Sequence, residues 1–164
     1  DAARTLHHAP RIHVAGFRSC RAVAALLHYQ LRLFRPDAVL VGDAALDMDL
    51  GAMAAGEALI LIGFAPYSRA SLTTFGAARD ARLATVVLAD SAAAPIAAGA
   101  DHLLLFPIAT PAFFPSLTAA IALAQALSAA VFNAGGDAAL ARLRASEARL
   151  EALSEYLPET ENRP

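Results

Sequence analysis

The chain has 164 residues, 57% of them apolar and 17% charged, with a formal net charge of −2. That length supports one compact domain with its own core, and the composition excludes a disordered tail. All 13 basic residues are Arg and form no cluster, which excludes a nucleic-acid-binding face on this stretch; the lack of Lys and the wealth of Ala read as a habit of the source genome.

The chain opens at Asp1 rather than Met, as expected of a fragment or a processed product, and no signal peptide is visible. "RIHVAG" at 11–16 predicts a first strand. From Ser19 to Phe34 the apolar residues Val23, Leu26, Leu27, Leu31 and Phe34 recur at helical spacing. Pro36 closes that helix, and "DAVLVGD" at 37–43 predicts a second strand. "LDMDLGAM" is a short helical or irregular link. "EALILIGF" at 57–64 predicts a third strand, followed by a helix from about Ser68 to Arg82. "ATVVLAD" at 84–90 predicts a fourth strand, with a short helix around Ala93 to Ala98 behind it, and "DHLLLFP" at 101–107 a fifth.

Two helices end the chain. The first, at 116–133, is uncharged. The second, after the turn "NAGGD", runs from about Ala138 to Leu157, with Leu140, Leu143, Leu150, Leu153 and Leu157 as its apolar stripe and Arg142, Arg144, Glu151 and Glu155 on its wet side. It reads as a docked terminal helix, with a role in a dimer as the sharper alternative. The domain is expected to fill 1–158, with residues 159–164 as a frayed tail. No charge occurs from Leu103 to Gly136, but Pro107, Pro111 and Pro115 interrupt the first half. The uninterrupted part, Leu117 to Phe132, falls short of the roughly 20 residues a membrane span needs. No membrane partner is expected.

Strands separated by helices predict βαβ units and a five-stranded parallel sheet covered on both faces, a three-layer αβα sandwich. Such sheets bind ligands beyond the carboxyl ends of their strands, so the loops after strands one, three and four are the places to look. In the first loop, Gly16 allows a tight turn, and Ser19 or Cys20 opens a helix whose N–H groups attract anions. Arg18 adds donors suited to phosphate. The bland alternative is a Ser cap with ordinary surface Arg residues. In the third-strand loop, Ser68 is a natural N-cap, with Tyr67, Arg69 and Ser71 within reach of the same anion position. After strand four, Asp90 is expected to cap, with a ligand hydroxyl as the alternative; Ser91 and Pro95 follow it.

Cys20 is the only cysteine, so no internal disulfide can form, which fits a reducing, cytoplasmic compartment. The histidines, His7, His8, His13, His28 and His102, form no helical pair with a carboxylate, so neither zinc nor any other metal is expected. His13 reads as a packed or edge histidine. No nucleophile–base pair is legible in the spacing, and no cofactor is expected.

The ordered set "IHVAGFRSCRAVA", "EALILIGFAPYSRASL", "ATVVLADSAAAPIAAGADHLLLFP" and "AFFPSLTAAIALAQAL" resembles the sugar isomerase (SIS) domain. More narrowly it resembles the C-terminal effector domain of bacterial RpiR/MurR-type transcriptional regulators, over about residues 5 to 155. The resemblance implies a flavodoxin-like strand order, a homodimer and a phosphorylated sugar or related metabolite as ligand. It implies DNA contact only through a helix-turn-helix domain that would precede this stretch. The family's first-loop glycine and serines correspond to Gly16, Ser19 and Cys20, with cysteine in place of the second serine. The third-strand positions that normally carry phosphate-holding hydroxyls read Gly63, Ala65, Pro66 and Ser68, so only Ser68 keeps one. The Tyr67, Ser68 and Arg69 run matches the regulator branch. Asp90, Ser91 and Pro95 match the stretch after strand four, and Ser116 the "FF-x-S" serine. The function implied is effector binding and dimerisation in a regulator, not catalysis. A dimerisation scaffold without ligand and an aldose–ketose sugar-phosphate isomerase remain as alternatives; the third-strand loop offers the latter no Glu or His as a base.

Overall fold

The computed structural model describes residues 1–42 and 45–154. The end of the expected second strand at Asp43, the expected helical residues Glu155 and Leu157, and the tail at 159–164 lie outside these. In chain order the elements are α1 (Ala2–His8), β1 (Ile12–Gly16), α2 (Cys20–Arg32), β2 (Ala38–Leu40), α3 (Leu46–Gly51), β3 (Ala58–Gly63), α4 (Arg69–Asp80), β4 (Ala84–Ala89), β5 (His102–Leu105) and α5 (Thr118–Ala152). The five strands form one sheet in the order β2-β1-β3-β4-β5, and every pairing is parallel.

The central strands carry apolar side chains on both faces because helices cover both. Ile12 and Val14 of β1, Ile60 and Ile62 of β3, and Val86 and Leu88 of β4 pack with α1, α2 and α5. Ala15, Leu59, Leu61 and Val87 point the other way, toward Phe75 and Ala78 of α4. The carboxyl ends of the strands lie in register: Gly16 pairs with Ile62, and Gly63 with Ala89. Chain order reverses between β1 and β3, so the crevice beyond Gly16 and Gly63 is the expected ligand position.

Several elements differ from their sequence reading. Helix α1 was not anticipated; Leu6 is fully buried beneath it, and the guanidinium of Arg35 donates to the carbonyls of Leu6, His7 and Ala9 at its C-terminal end. Strand β2 stops at Leu40, since Gly42 turns the chain at φ +77°. Strand β5 ends at Leu105: Phe106 still donates to Ala89, but Pro107 has no N–H to continue the ladder. The helix expected around 93–98 is a string of separate turns, closed by Ala94 N–H to Ser91, Ala97 N–H to Ala94 and Ala100 N–H to Ala97. Pro95 has no donor, and six residues are too few to nucleate a helix. The "NAGGD" turn shrinks to a single non-helical residue, Gly136, at φ 51° and ψ −138°, so the two expected helices run on as one interrupted α5.

By length and composition α5 could cross a membrane. In this fold its first half packs Ala120, Ala124, Leu127, Ser128 and Val131 inward. It leaves Ala122, Gln125, Ala126, Ala129, Ala130 and Asn133 exposed, a face without charge.

Candidate functional site

A cavity of about 170 Å³ opens beyond the carboxyl ends of β1 and β3. One wall is the β1–α2 loop with Phe17, Arg18, Ser19 and Cys20, and the facing wall is the β3–α4 loop from Gly63 to Ser68, with Ser71 behind it. Phe114 and Pro115, from the segment before α5, form the third side.

Gly16 makes the first loop possible. A β-carbon there would stand 2.6 Å from the carbonyl oxygen of Cys20 and 2.9 Å from the β-carbon of Ala24, so only glycine lets α2 start this close to the strand. Gly16 therefore shapes the wall without lining the cavity. Arg18 follows at φ +54°, in the left-handed region few non-glycine residues adopt. Ser19 occupies the N-cap position of α2, but its side chain makes no capping hydrogen bond. The first turn instead closes on itself: the N–H groups of Cys20, Arg21 and Ala22 donate to the carbonyls of Phe17, Arg18 and Ser19 at 3.1, 3.1 and 3.4 Å. Cys20 is buried. Burial pushes its thiol up to about 11; the N–H of Phe64 opposes this and the charge of Asp90 adds to it. The thiol is thus neutral and takes the place of the expected second hydroxyl.

The third-strand loop is built around two side chains from the β4 side. A β-carbon at Gly63 would meet Cδ1 of the fully buried Ile96 at 2.8 Å, so Ile96 fills the space that a serine at 63 would need. The carboxylate of Asp90 reaches across from the end of β4. One oxygen accepts the Tyr67 hydroxyl and the other the N–H of Ala65 at 3.4 Å. Burial, then this hydrogen bond and the charge of Asp90, push the Tyr67 phenol well above its ordinary range. The expected capping role of Asp90 is thereby corrected: no helix follows for it to cap, and it ties two loops together. Ser68 does cap, its Oγ accepting the N–H of Ser71 at 3.1 Å, and the two hydroxyls lie 2.9 Å apart.

Of the residues singled out from sequence, Arg18, Ser19, Cys20, Tyr67, Ser68 and Ser71 meet at the cavity. Gly16 and Asp90 lie behind its walls. Arg69 is exposed and outside them. Ser91 accepts the N–H of Ala93 in its own turn, and Ser116 accepts that of Thr118 at the start of α5. Phe17, Pro115 and Ile96 were not expected at the site. An isolated isoleucine in the Ala- and Gly-rich stretch after strand four was the one available signal for the last. Among the described residues, no group of three or more His, Cys, Asp and Glu side chains could hold a metal ion.

Comparison with known proteins agrees with this geometry. Residues 5–130 match the model of the SIS domain. The sugar isomerase domain of an RpiR transcription factor from Sphaerobacter thermophilus superposes with a TM-score of 0.82 at 23% identity, covering 90% of this chain and 83% of that one. The Vibrio vulnificus NanR protein, complexed with ManNAc-6P, gives 0.76 at 16% identity, covering 92% of this chain and 59% of NanR. An E. coli protein holding another sugar phosphate gives 0.72 at 18% identity, with 91% and 81% covered. Other structures of this fold are described as candidate phosphosugar isomerases. No curated protein sequence matches significantly. With the matched stretch covering most of the chain, and with the parallel sheet and its switch-point cavity as described, this chain belongs to the SIS domain family.

Proposed function

We propose that this domain is the effector-binding and dimerising domain of a bacterial RpiR-type transcription regulator, acting on DNA through a domain outside this sequence. The observation that carries the reading is the cavity between the starts of α2 and α4, where Arg18, Ser19, Ser68 and Ser71 converge. A phosphorylated sugar fits the family, and two similar folds hold such ligands. The uncharged outer face of α5 supports pairing with a second copy, because small side chains let two helices approach closely. Binding would bias the relation of the two subunits, and so the DNA-binding parts. A non-enzymatic role is supported by the walls of the cavity, which carry neither a carboxylate nor an imidazole to move a proton between adjacent carbons.

One observation favours a second reading, a dimerisation scaffold without ligand: Ile96 occupies the place of a donor side chain at Gly63. A thermal-shift screen with sugar phosphates decides between the two, using Arg18→Ala and Ser68→Ala as controls. A ligand at about 100 times its Kd stabilises by about 2.7 kcal/mol, a rise of about 5–10 °C for a domain of this size. A shift lost in both variants supports the effector site. A flat response to every sugar phosphate, from a protein that is dimeric by light scattering, favours the scaffold.

A further inference from the structure

We propose that Asp90 is a specificity-determining residue of this cavity, an internal anion that disfavours a doubly charged phosphate and leaves the site to singly charged or neutral polyol ligands. The inference rests on the effector-site reading.

Three donor groups that could greet an anion at this crevice already have acceptors. The N–H groups at the start of α2 donate to the carbonyls of Phe17, Arg18 and Ser19. The N–H of Ser71, in the first turn of α4, donates to Ser68. The N–H of Ala65, in the loop that leaves β3, donates to the carboxylate of Asp90. Asp90 is held there by the Tyr67 hydroxyl as well, and the Tyr67 ring forms part of the cavity wall. The carboxylate thus sits behind the wall on the donors of the third-strand loop, in the manner of a bound anion.

Its charge is felt inside. The Cys20 thiol lines the opposite wall and is pushed toward its neutral form in part by Asp90. The only cationic side chain lining the cavity is Arg18, so one positive and one negative charge face whatever enters. A dianion would have to displace the carboxylate from the Ala65 N–H or tolerate its repulsion, since like charges in a partly buried site disfavour each other. A monoanion can pair with Arg18 at half that repulsion.

Glucose 6-phosphate and glucose 6-sulfate separate charge from shape: at about pH 8 the phosphate, with a second pKa of about 6, is a dianion, and the sulfate ester is a monoanion of nearly equal size. Calorimetric Kd values are measured for both ligands with the wild-type chain and with Asp90→Asn, which keeps an acceptor for Tyr67 and removes the charge. Asp90→Ser is the second variant should the first fail to fold. The expected result is a gain of about tenfold or more in phosphate affinity, with the sulfate ester changed by less than about threefold, the size of one screened charge–charge term. Equal changes for both ligands, or weaker phosphate binding in the neutral variants, overturn the proposal and leave the effector site standing. If neither ligand binds the wild-type chain or any variant, the effector-site reading falls, and this inference falls with it.

Discussion

Gly63→Ser puts back the side chain whose place Ile96 has taken. The new β-carbon would stand 2.8 Å from Cδ1 of Ile96, whereas carbon atoms settle at about 3.5–4.0 Å. The isoleucine tip must therefore retreat by about 1 Å into surroundings where it is already fully buried. Overpacking of this kind costs about 1–3 kcal/mol. Against it stands the lower chain entropy of the unfolded state without glycine, about 0.4–1 kcal/mol. The net loss expected is about 1–2 kcal/mol. Ile96→Val removes the offending Cδ1 and by itself costs about 0.5–1.5 kcal/mol through the void it leaves. In the double variant the serine occupies that void, so the two losses should not add: a sum of about 2.5 kcal/mol should shrink to about 1. Urea unfolding of the four proteins, compared by midpoint at constant m, measures this coupling. Additivity within about 0.5 kcal/mol, as for sites that do not touch, would refute the claim that Ile96 stands where a hydroxyl-bearing side chain would be.

Tyr67→Phe removes the hydroxyl that binds Asp90 and should cost about 1.5–3 kcal/mol, the worth of a hydrogen bond to a charged group, read as a lower urea midpoint. Cys20 should resist alkylation in the folded protein. With its thiol pushed up to about 11, against about 8.5 for a free thiol, the thiolate fraction is about 300-fold smaller, and iodoacetamide should label it quickly only in denaturant. Glu57 and Asp101 should govern acid stability. Burial raises Glu57, but the hydrogen bonds from His13 and from the Ala54 N–H, with the charges of His13 and Arg11, outweigh it and hold the carboxyl below its ordinary value of 4.5. The Thr85 N–H above all holds Asp101 below 3.8, against burial. A depressed folded-state value gives stability that is fully present above the ordinary value and lost as pH falls through the depressed one. The urea midpoint should therefore fall on acidification below about pH 4, and Glu57→Gln with Asp101→Asn should flatten that fall while lowering stability at neutral pH.

What the sequence discloses is what local chemistry writes into it. Ser68 was legible because an N-cap needs only the N–H two or three residues on, and the structure supplies it from Ser71. Gly16 was legible as a tight turn, and its reason is the 2.6 Å approach to the Cys20 carbonyl. The sheet was legible because strands buried on both faces run apolar without alternation, as in "ALILIG" of β3. Contacts between segments distant in the chain leave no such trace. Neither the seating of Ile96 against Gly63 nor the reach of Asp90 to Tyr67 shows in any periodicity. His13 was read as packed or at an edge; it is packed, and its Nε2 lies 2.7 Å from Glu57, a carboxylate from the start of another strand. Arg35 looks in the sequence like a surface residue beside Pro36, yet it is buried and holds the end of α1.

The distribution of these polar anchors bears on how such a site can change. Glu57 and Asp101, with their partners His13 and Thr85, lie toward the amino-terminal ends of the strands. They pin β1 to β3 and β4 to β5 without touching the cavity. The fold therefore does not depend on the donors at the opposite ends, and hydroxyls could be lost there without loss of the sheet. Simple decay would leave either a buried N–H without an acceptor, which costs about 1–3 kcal/mol, or a cavity collapsed by large side chains. Neither is seen at this crevice. The Ala65 N–H has Asp90, the Ser71 N–H has Ser68, and the space between the loops stays open. Phe113, which could have filled it, points fully into solvent. Donors reassigned one by one around a cavity that keeps its opening are the arrangement expected of a site retuned to a ligand with less negative charge, and that charge dependence is what the phosphate and sulfate pair reads.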